Sequence, residues 1–318
     1  MLDAVRDQPE GVRFLRRVVE GHLSSPLLLV GEEGVGRRFS VHQAVLEMFC
    51  TGGRTSGCEC VDCTQVAQGI HPNLTLLAPD GGRDIGVDAI REIVEAASVC
   101  PMGAPYRVFV IDGADRLTAA AANALLKTLE EPPASTRFFL LAETLSRVIP
   151  TIRSRCGVVS YRPLSEALVL SVLGQFEDDP AKALVYTRLG EGSVGRATRY
   201  WGSGRLALRD KTFSLIRLAM ERDLAGLFSA VDALDKELPQ ALLFMRCLTH
   251  DLVMVHIDTA RVINTDLMDT LLQMATSRQS VVWHRLGAGV RRLQGLSQST
   301  RVLLPFHVKT CLVEAFSV

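Results

Sequence analysis

A doubly wound α/β sheet followed by all-helical segments is the fold class the sequence predicts, and three observations predict it. Between residues 26 and 160, short apolar runs alternate with stretches of helical spacing. A glycine-rich turn follows the first of those runs, and beyond Pro163 the strand-like runs cease. Strands interleaved with helices give parallel βαβ crossovers, with helices on both faces of one sheet. At roughly 100 to 200 residues per domain, 318 residues allow two or three domains. A content of 47% hydrophobic and 22% charged residues is that of a chain that buries a core rather than a disordered one.

Pro26-Leu-Leu-Leu-Val30 forms the first strand by this reading, and the apolar positions from Phe39 to Phe49 recur at helical spacing. Leu74-Thr-Leu-Leu77 is the second strand. From Val87 to Val99, Ile90, Ile93, Val94 and Ala97 share one helical face. Val108-Phe-Val-Ile111 is the third strand, bounded by Asp112-Gly113. Thr118 caps an alanine-rich helix that Pro132-Pro133 must end by about Glu131. Phe138-Phe-Leu-Leu141 and Val158-Val159 complete the set. Short helices then follow over Ser165 to Phe176, Pro180 to Leu189 and Ser193 to Trp201, and Gly202-Ser-Gly204 makes a linker. Longer helical stretches include Leu224 to Leu234, Pro239 to Ile257 and Pro305 to Phe316.

Charge and length exclude several functions. The 35 basic and 35 acidic residues cancel, so no global field draws this chain to nucleic acid or an anionic membrane. Any DNA contact has to be local or shared. No apolar run reaches the roughly 18 residues of a membrane helix, and the first residues lack the apolar core of a signal peptide, so a cytoplasmic protein is expected.

Two clusters carry chemistry. Gly31-Glu-Glu-Gly34-Val-Gly36-Arg37-Arg38 matches the phosphate-loop frame G-x-x-x-x-G-K-[ST] except at its last two positions. A working loop cradles phosphates with backbone N–H groups, reaches the β and γ phosphates with its lysine, and ligates magnesium through the hydroxyl. Lysine is rare here, at 127, 182, 211, 236 and 309 only, so Arg37 fits a general arginine bias. Arg38 does not, because a guanidinium offers magnesium no oxygen. Val108-Phe-Val-Ile-Asp112 has the form of a Walker B strand, and Gly113 stands where hydrolysing enzymes of many such families carry glutamate. No ATP hydrolysis is expected. The second cluster is Cys50, Cys58, Cys60 and Cys63, four of eight cysteines crowded together while Cys100, Cys156, Cys247 and Cys311 are scattered. Four thiolates can hold one tetrahedral zinc, and with no coordination position left open such a zinc is structural.

Asn123-Ala-Leu-Leu-Lys-Thr-Leu-Glu-Glu-Pro-Pro133, then Phe138-Phe-Leu-Leu-Ala142 and Ile152-Arg-Ser-Arg-Cys156, resemble the AAA+ module of bacterial clamp-loader subunits. The cysteine cluster, Gly69-Ile-His-Pro72 and Gly86-Val-Asp-Ala-Ile-Arg91 occur in that family's order, and the resemblance is strong from about residue 25 to 163. It implies an AAA+ phosphate-loop-like domain over 1–162 with a cysteine-rich zinc insertion at about 50–72, a helical lid domain over 163–204, and a helical collar domain for oligomerisation over 205–318. The family spacing is C-x8-C-x2-C-x2-C. Here two gaps are each one residue shorter, which leaves His71 as a substitute ligand.

The same resemblance makes Arg196 similar to the family's sensor 2 residue and Arg155 to an arginine finger that projects to a neighbour's nucleotide. Partners implied are the gamma/tau and delta subunits, the sliding clamp and primed DNA. The degenerate loop puts this chain with the family's non-hydrolysing members. The alternatives are a hydrolysing gamma/tau-like subunit, with Arg37 acting for lysine, and a zinc-containing adaptor of DNA metabolism unconnected with the clamp.

Overall fold

The computed structural model describes residues 1–80, 83–202, 205–297 and 303–316. The chain divides into two compact units, Met1–Val169 with Gly192–Gly195, and Leu170–Glu191 with Arg196–Val318. The linker expected at Gly202-Ser-Gly204 falls largely on residues 203 and 204, outside the described residues.

The first unit begins with helix α1 (Pro9–Val19), whose buried Gly11, Leu15, Val18 and Val19 form one face and whose first residue is the proline that a helix start tolerates. Strand β1 (Leu27–Val30) and helix α2 (Arg37–Phe49) follow. Helix α3 (Val61–Gln68), strand β2 (Leu74–Leu77), helix α4 (Val87–Ala97) and strand β3 (Arg107–Asp112) come next. The Thr118 side chain accepts a hydrogen bond from the Ala121 amide and starts helix α5 (Ala119–Glu130), which stops before the two prolines as its sequence requires. Strand β4 (Thr136–Ala142), helix α6 (Pro150–Arg153), strand β5 (Gly157–Ser160) and helix α7 (Glu166–Leu173), which ends in the second unit, complete the series.

All pairings in the five-stranded sheet are parallel, in the order β2-β3-β4-β1-β5. Leu28 lies opposite Leu140 on one side and Val158 on the other. Because side chains alternate across a strand, the three inner strands β1, β3 and β4 each feed two cores. Leu27, Leu29, Val108, Val110, Phe139 and Leu141 pack with α1 and α2 residues such as Leu15, Val18 and Val45. Leu28, Phe109, Ile111, Phe138 and Leu140 pack with Ile90, Ile93, Leu125 and Leu129 of α4 and α5. Burial on both faces is what a parallel sheet demands. Parallel strands also bring their C-terminal ends to one edge, where open α/β sheets bind ligands. There the register sets Val30 opposite Ala142 and Asp112 opposite Leu141.

The second unit is helical. Helices α8 (Pro180–Leu189), α9 (Val194–Trp201, which begins in the first unit), α10 (Leu206–Glu221), α11 (Leu224–Ala233), α12 (Leu238–Met254), α13 (Met268–Ser277), α14 (Ser280–Ser297) and α15 (Leu304–Ala315) make it up among the described residues. Its core includes Phe244, Leu248, Trp283, Leu286 and Leu312, all fully or almost fully buried. Buried Asp251 accepts hydrogen bonds from the Ile263 amide at 2.7 Å and from the Asn264 amide and side chain at 2.8 and 2.6 Å. That carboxylate ties the segment after α12 back to the helix, each bond to a charged acceptor being stronger than a neutral one. No helix among the described residues is long and apolar enough to cross a membrane.

Candidate functional site

The loop between β1 and α2 has the backbone of a phosphate loop. Gly34 (φ 79°) and Gly36 (φ 95°) take the left-handed conformations that let it curl, and Gly36 caps α2. Its side chains do something else. Arg38 Nη1 lies 3.7 Å from Asp112 Oδ2, so a guanidinium faces the carboxylate that would help hold magnesium. Arg37, in the lysine position, is only 7% exposed, and its Nη1 is buried with no hydrogen-bond partner.

This chain also holds the loop from two sides. Gln8 Nε2 donates to the carbonyls of Val35 at 3.2 Å and Arg162 at 2.7 Å. Ser193 Oγ donates to Glu33 O at 2.7 Å, and the Val194 amide to Gly34 O at 3.1 Å. A Cβ at Gly34 would sit 2.4 Å from Ser193 Oγ, so this glycine is needed for the close approach as well as for its φ. After β3, Gly113 (φ 101°) leaves no room for a glutamate, because a Cβ there would meet Pro79 Cγ at 2.8 Å.

Arg155 follows α6 and precedes β5, with its side chain 29% exposed. Its Nε donates to Glu130 Oε2 at 2.9 Å, Nη2 lies 2.8 Å from the same oxygen, and Nη1 donates to Thr151 O at 3.1 Å. Beside it, burial pushes the Cys156 thiol up to about 12, which keeps it protonated and poorly nucleophilic near neutral pH. Arg196 belongs to the second unit, where its Nη1 pairs with Glu191 Oε2 at 2.8 Å while the other oxygen of Glu191 accepts from Arg246.

The ligand atoms of Cys50, Cys58, Cys60 and Cys63 all lie within 4.8 Å of one another. Four sulfurs about 2.3 Å from a tetrahedral ion are about 3.8 Å apart, so the quartet fits a metal with little movement. Cys50 ends α2, Cys60 caps α3 and Cys63 is in its first turn, so two helix ends carry three of the four ligands. The shortened C-x-C still closes because Gly57 (φ 79°) turns the chain and Gly52 has no side chain, a Cβ there lying 2.6 Å from Cys58 Sγ. The backbone N–H groups of Cys63 and Thr51 draw the Cys60 thiol down to about 5, toward the thiolate that metals bind.

His71 is engaged elsewhere. It is 4% exposed, stacks on Phe49 at 4.1 Å and accepts from the Asn73 amide through Nδ1, so the cysteines form the metal-competent group without it. Sequence reasoning missed the pairs Arg38–Asp112 and Arg155–Glu130, which join residues of separate elements. It also missed the hold that Gln8 and Ser193 keep on the loop.

A parallel sheet in this order, with a phosphate-loop frame after β1 and an acidic residue ending β3, defines an AAA+ module, here with the active side chains of the loop replaced. A family model described as DNA polymerase III, delta subunit, matches residues 8–165. DNA polymerase III subunit delta' of Escherichia coli (strain K12) is 31% identical over 274 residues, 84% of this chain and 81% of that protein. The same subunit of Bacillus subtilis (strain 168) is 35% identical over 159 residues, 49% of this chain and 48% of that protein. DNA polymerase III subunit gamma/tau of Mycobacterium tuberculosis (strain ATCC 25618 / H37Rv) is 32% identical over 182 residues, 54% of this chain and 31% of that protein. The chain belongs to the delta' family of DNA polymerase III subunits.

Proposed function

We propose that this chain is a non-hydrolysing subunit of the DNA polymerase III clamp loader, acting in the cytoplasm with delta and gamma/tau to place the sliding clamp on primed DNA. The observation that carries the non-hydrolysing reading is Arg38 against Asp112, a positive group set where a magnesium site would need an oxygen and a free carboxylate. In this reading Arg155 is the catalytic contribution. As an arginine finger it reaches a neighbouring gamma/tau site and stabilises negative charge on the phosphoryl group during transfer. Residues 163–204 act as a lid and 205–318 as a collar, with Arg196 a sensor-like residue kept for ion pairing. Cys50, Cys58, Cys60 and Cys63 would hold a structural zinc, which when bound cross-links the insertion and supplies no reaction chemistry.

The test of the assembly is to mix the purified chain with delta, gamma/tau and the clamp. Co-elution as one complex, with clamp loading that requires this chain, is the expected result. A chain that never co-elutes with them would leave the adaptor reading standing.

The isolated chain is also expected to release no phosphate from ATP, and to stay silent with Arg37→Lys and Arg38→Thr together. Adding Gly113→Glu cannot complete the site. Its positive φ and the clash with Pro79 are expected to lower stability by about 1–3 kcal/mol, read from the midpoint of chemical denaturation. Steady phosphate release that Asp112→Asn abolishes would overturn the non-hydrolysing reading.

A further inference from the structure

We propose that Glu130 is the positioning residue of Arg155. The inference rests on the finger reading above and deepens it. Glu130 is the last residue of α5, a helix fixed at its start by the Thr118 cap and along its length by buried Ala121, Ala122, Leu125 and Leu129. Arg155 stands just after the short α6, anchored through buried Ile152. One carboxylate oxygen, Glu130 Oε2, takes both Nε and Nη2, so the guanidinium is gripped along its side edge. The Thr151 carbonyl takes Nη1. Two anchors on different nitrogens fix both the direction and the roll of a planar group.

A guanidinium has five N–H bonds, and these contacts use three. The side-on grip leaves a second Nη2 hydrogen. It also leaves an Nη1 hydrogen whose only hydrogen-bond partner among the described residues is Ser154 Oγ at 3.4 Å, too long to hold it firmly. Those two remaining hydrogens can face an incoming anion while the carboxylate stays bound behind. A long arginine side chain without such a support spends much of its time in other rotamers, and misplacement of a reacting group by about 1 Å can cost as much as 100-fold in rate.

As a surface ion pair the contact would stabilise the fold little. Its effect belongs to the orientation of Arg155. The opposite role, a latch that withholds the finger, predicts the opposite sign.

The experiment uses the assembled loader with Glu130→Ala and Glu130→Gln, each with and without Arg155→Ala. It reads the clamp-loading rate, the KM for ATP and the melting temperature of the chain. Glu130→Ala is expected to slow clamp loading about threefold to tenfold with KM for ATP little changed, and to do nothing further once Arg155 is alanine. Glu130→Gln, which keeps one acceptor oxygen, should fall between wild type and Glu130→Ala. A wild-type rate for Glu130→Ala beside a slow Arg155→Ala would overturn the positioning role and leave the finger standing. A faster rate would make Glu130 a latch. An equal fractional loss in the Arg155→Ala background would make its effect structural. A wild-type rate for Arg155→Ala would remove the finger reading, and the positioning role with it.

Discussion

Arg155→Ala in the assembled loader is expected to leave the subunits together while clamp loading collapses and total ATP hydrolysis falls only in part. The partial fall follows from the number of sites. In the proposed reading, a loader with more than one gamma/tau ATP site loses only the one that Arg155 would serve, and at that site a finger supplied in trans would be worth roughly 10³ to 10⁵ in rate. The fold should be indifferent. Arg155 makes surface contacts with Glu130 and Thr151, and truncating such a side chain costs at most about 1 kcal/mol. Arg155→Lys should rescue poorly, because a point charge on a flexible stem cannot accept the side-on grip of Glu130 and still present two donors to a phosphate. Stimulated hydrolysis and loading at wild-type rates in the Arg155→Ala assembly would make the Ser154-Arg155-Cys156 turn purely structural.

The strands were legible because a parallel sheet buried on both faces writes itself as continuous apolar runs, and Leu27–Val30 and Phe138–Leu141 are such runs. Helix α5 was legible at both ends through Thr118 and Pro132. Helix α1 was not anticipated. Its apolar positions are interrupted by Arg13, Arg16 and Arg17, and buried Gly11 registers as a weak helix former when it is in fact the place where Tyr161 packs, a Cβ there lying 2.4 Å from its hydroxyl. Helix α3 was hidden because its eight residues are mostly polar and its start is a cysteine rather than a recognised cap. Substitutions in the phosphate loop were visible at once from residue type. What the new side chains bind was not, since Arg38 and Asp112 meet only when the sheet brings the ends of β1 and β3 to one edge. Gly113 gave half its meaning in advance. The missing glutamate was plain, but the steric reason why none fits comes from Pro79, on a different strand end.

The wild-type chain is expected to carry about one zinc, and Cys60→Ser to release it and to unfold the insertion while the sheet stays folded. The reason is the difference in what holds the two parts. Residues 51–57 are all exposed, and α3 is eight residues long, shorter than the 12 to 15 or so that an isolated helix needs to persist in water. Only Cys63 and Val66 of α3 are buried. Removing one thiolate leaves three ligands, and because the Cys60 side chain makes no cap hydrogen bond and serine is a good helix cap, any unfolding reports the lost ligand and not a weakened helix start. The sheet depends on cores built from α1, α2, α4, α5 and the five strands, to which the insertion lends little beyond Val66. Metal content by mass spectrometry and amide exchange over residues 50–72 should therefore change together, with exchange in β3 and β4 unaltered. Strong chelation of the wild-type chain should reproduce that pattern, because structural zinc contributes its binding free energy, about 10–16 kcal/mol in zinc-finger peptides, directly to the folding of the segment it closes. Protein purified without chelator that holds no zinc, and whose insertion exchanges as slowly as its sheet, would mean that the cysteines stay together by packing alone.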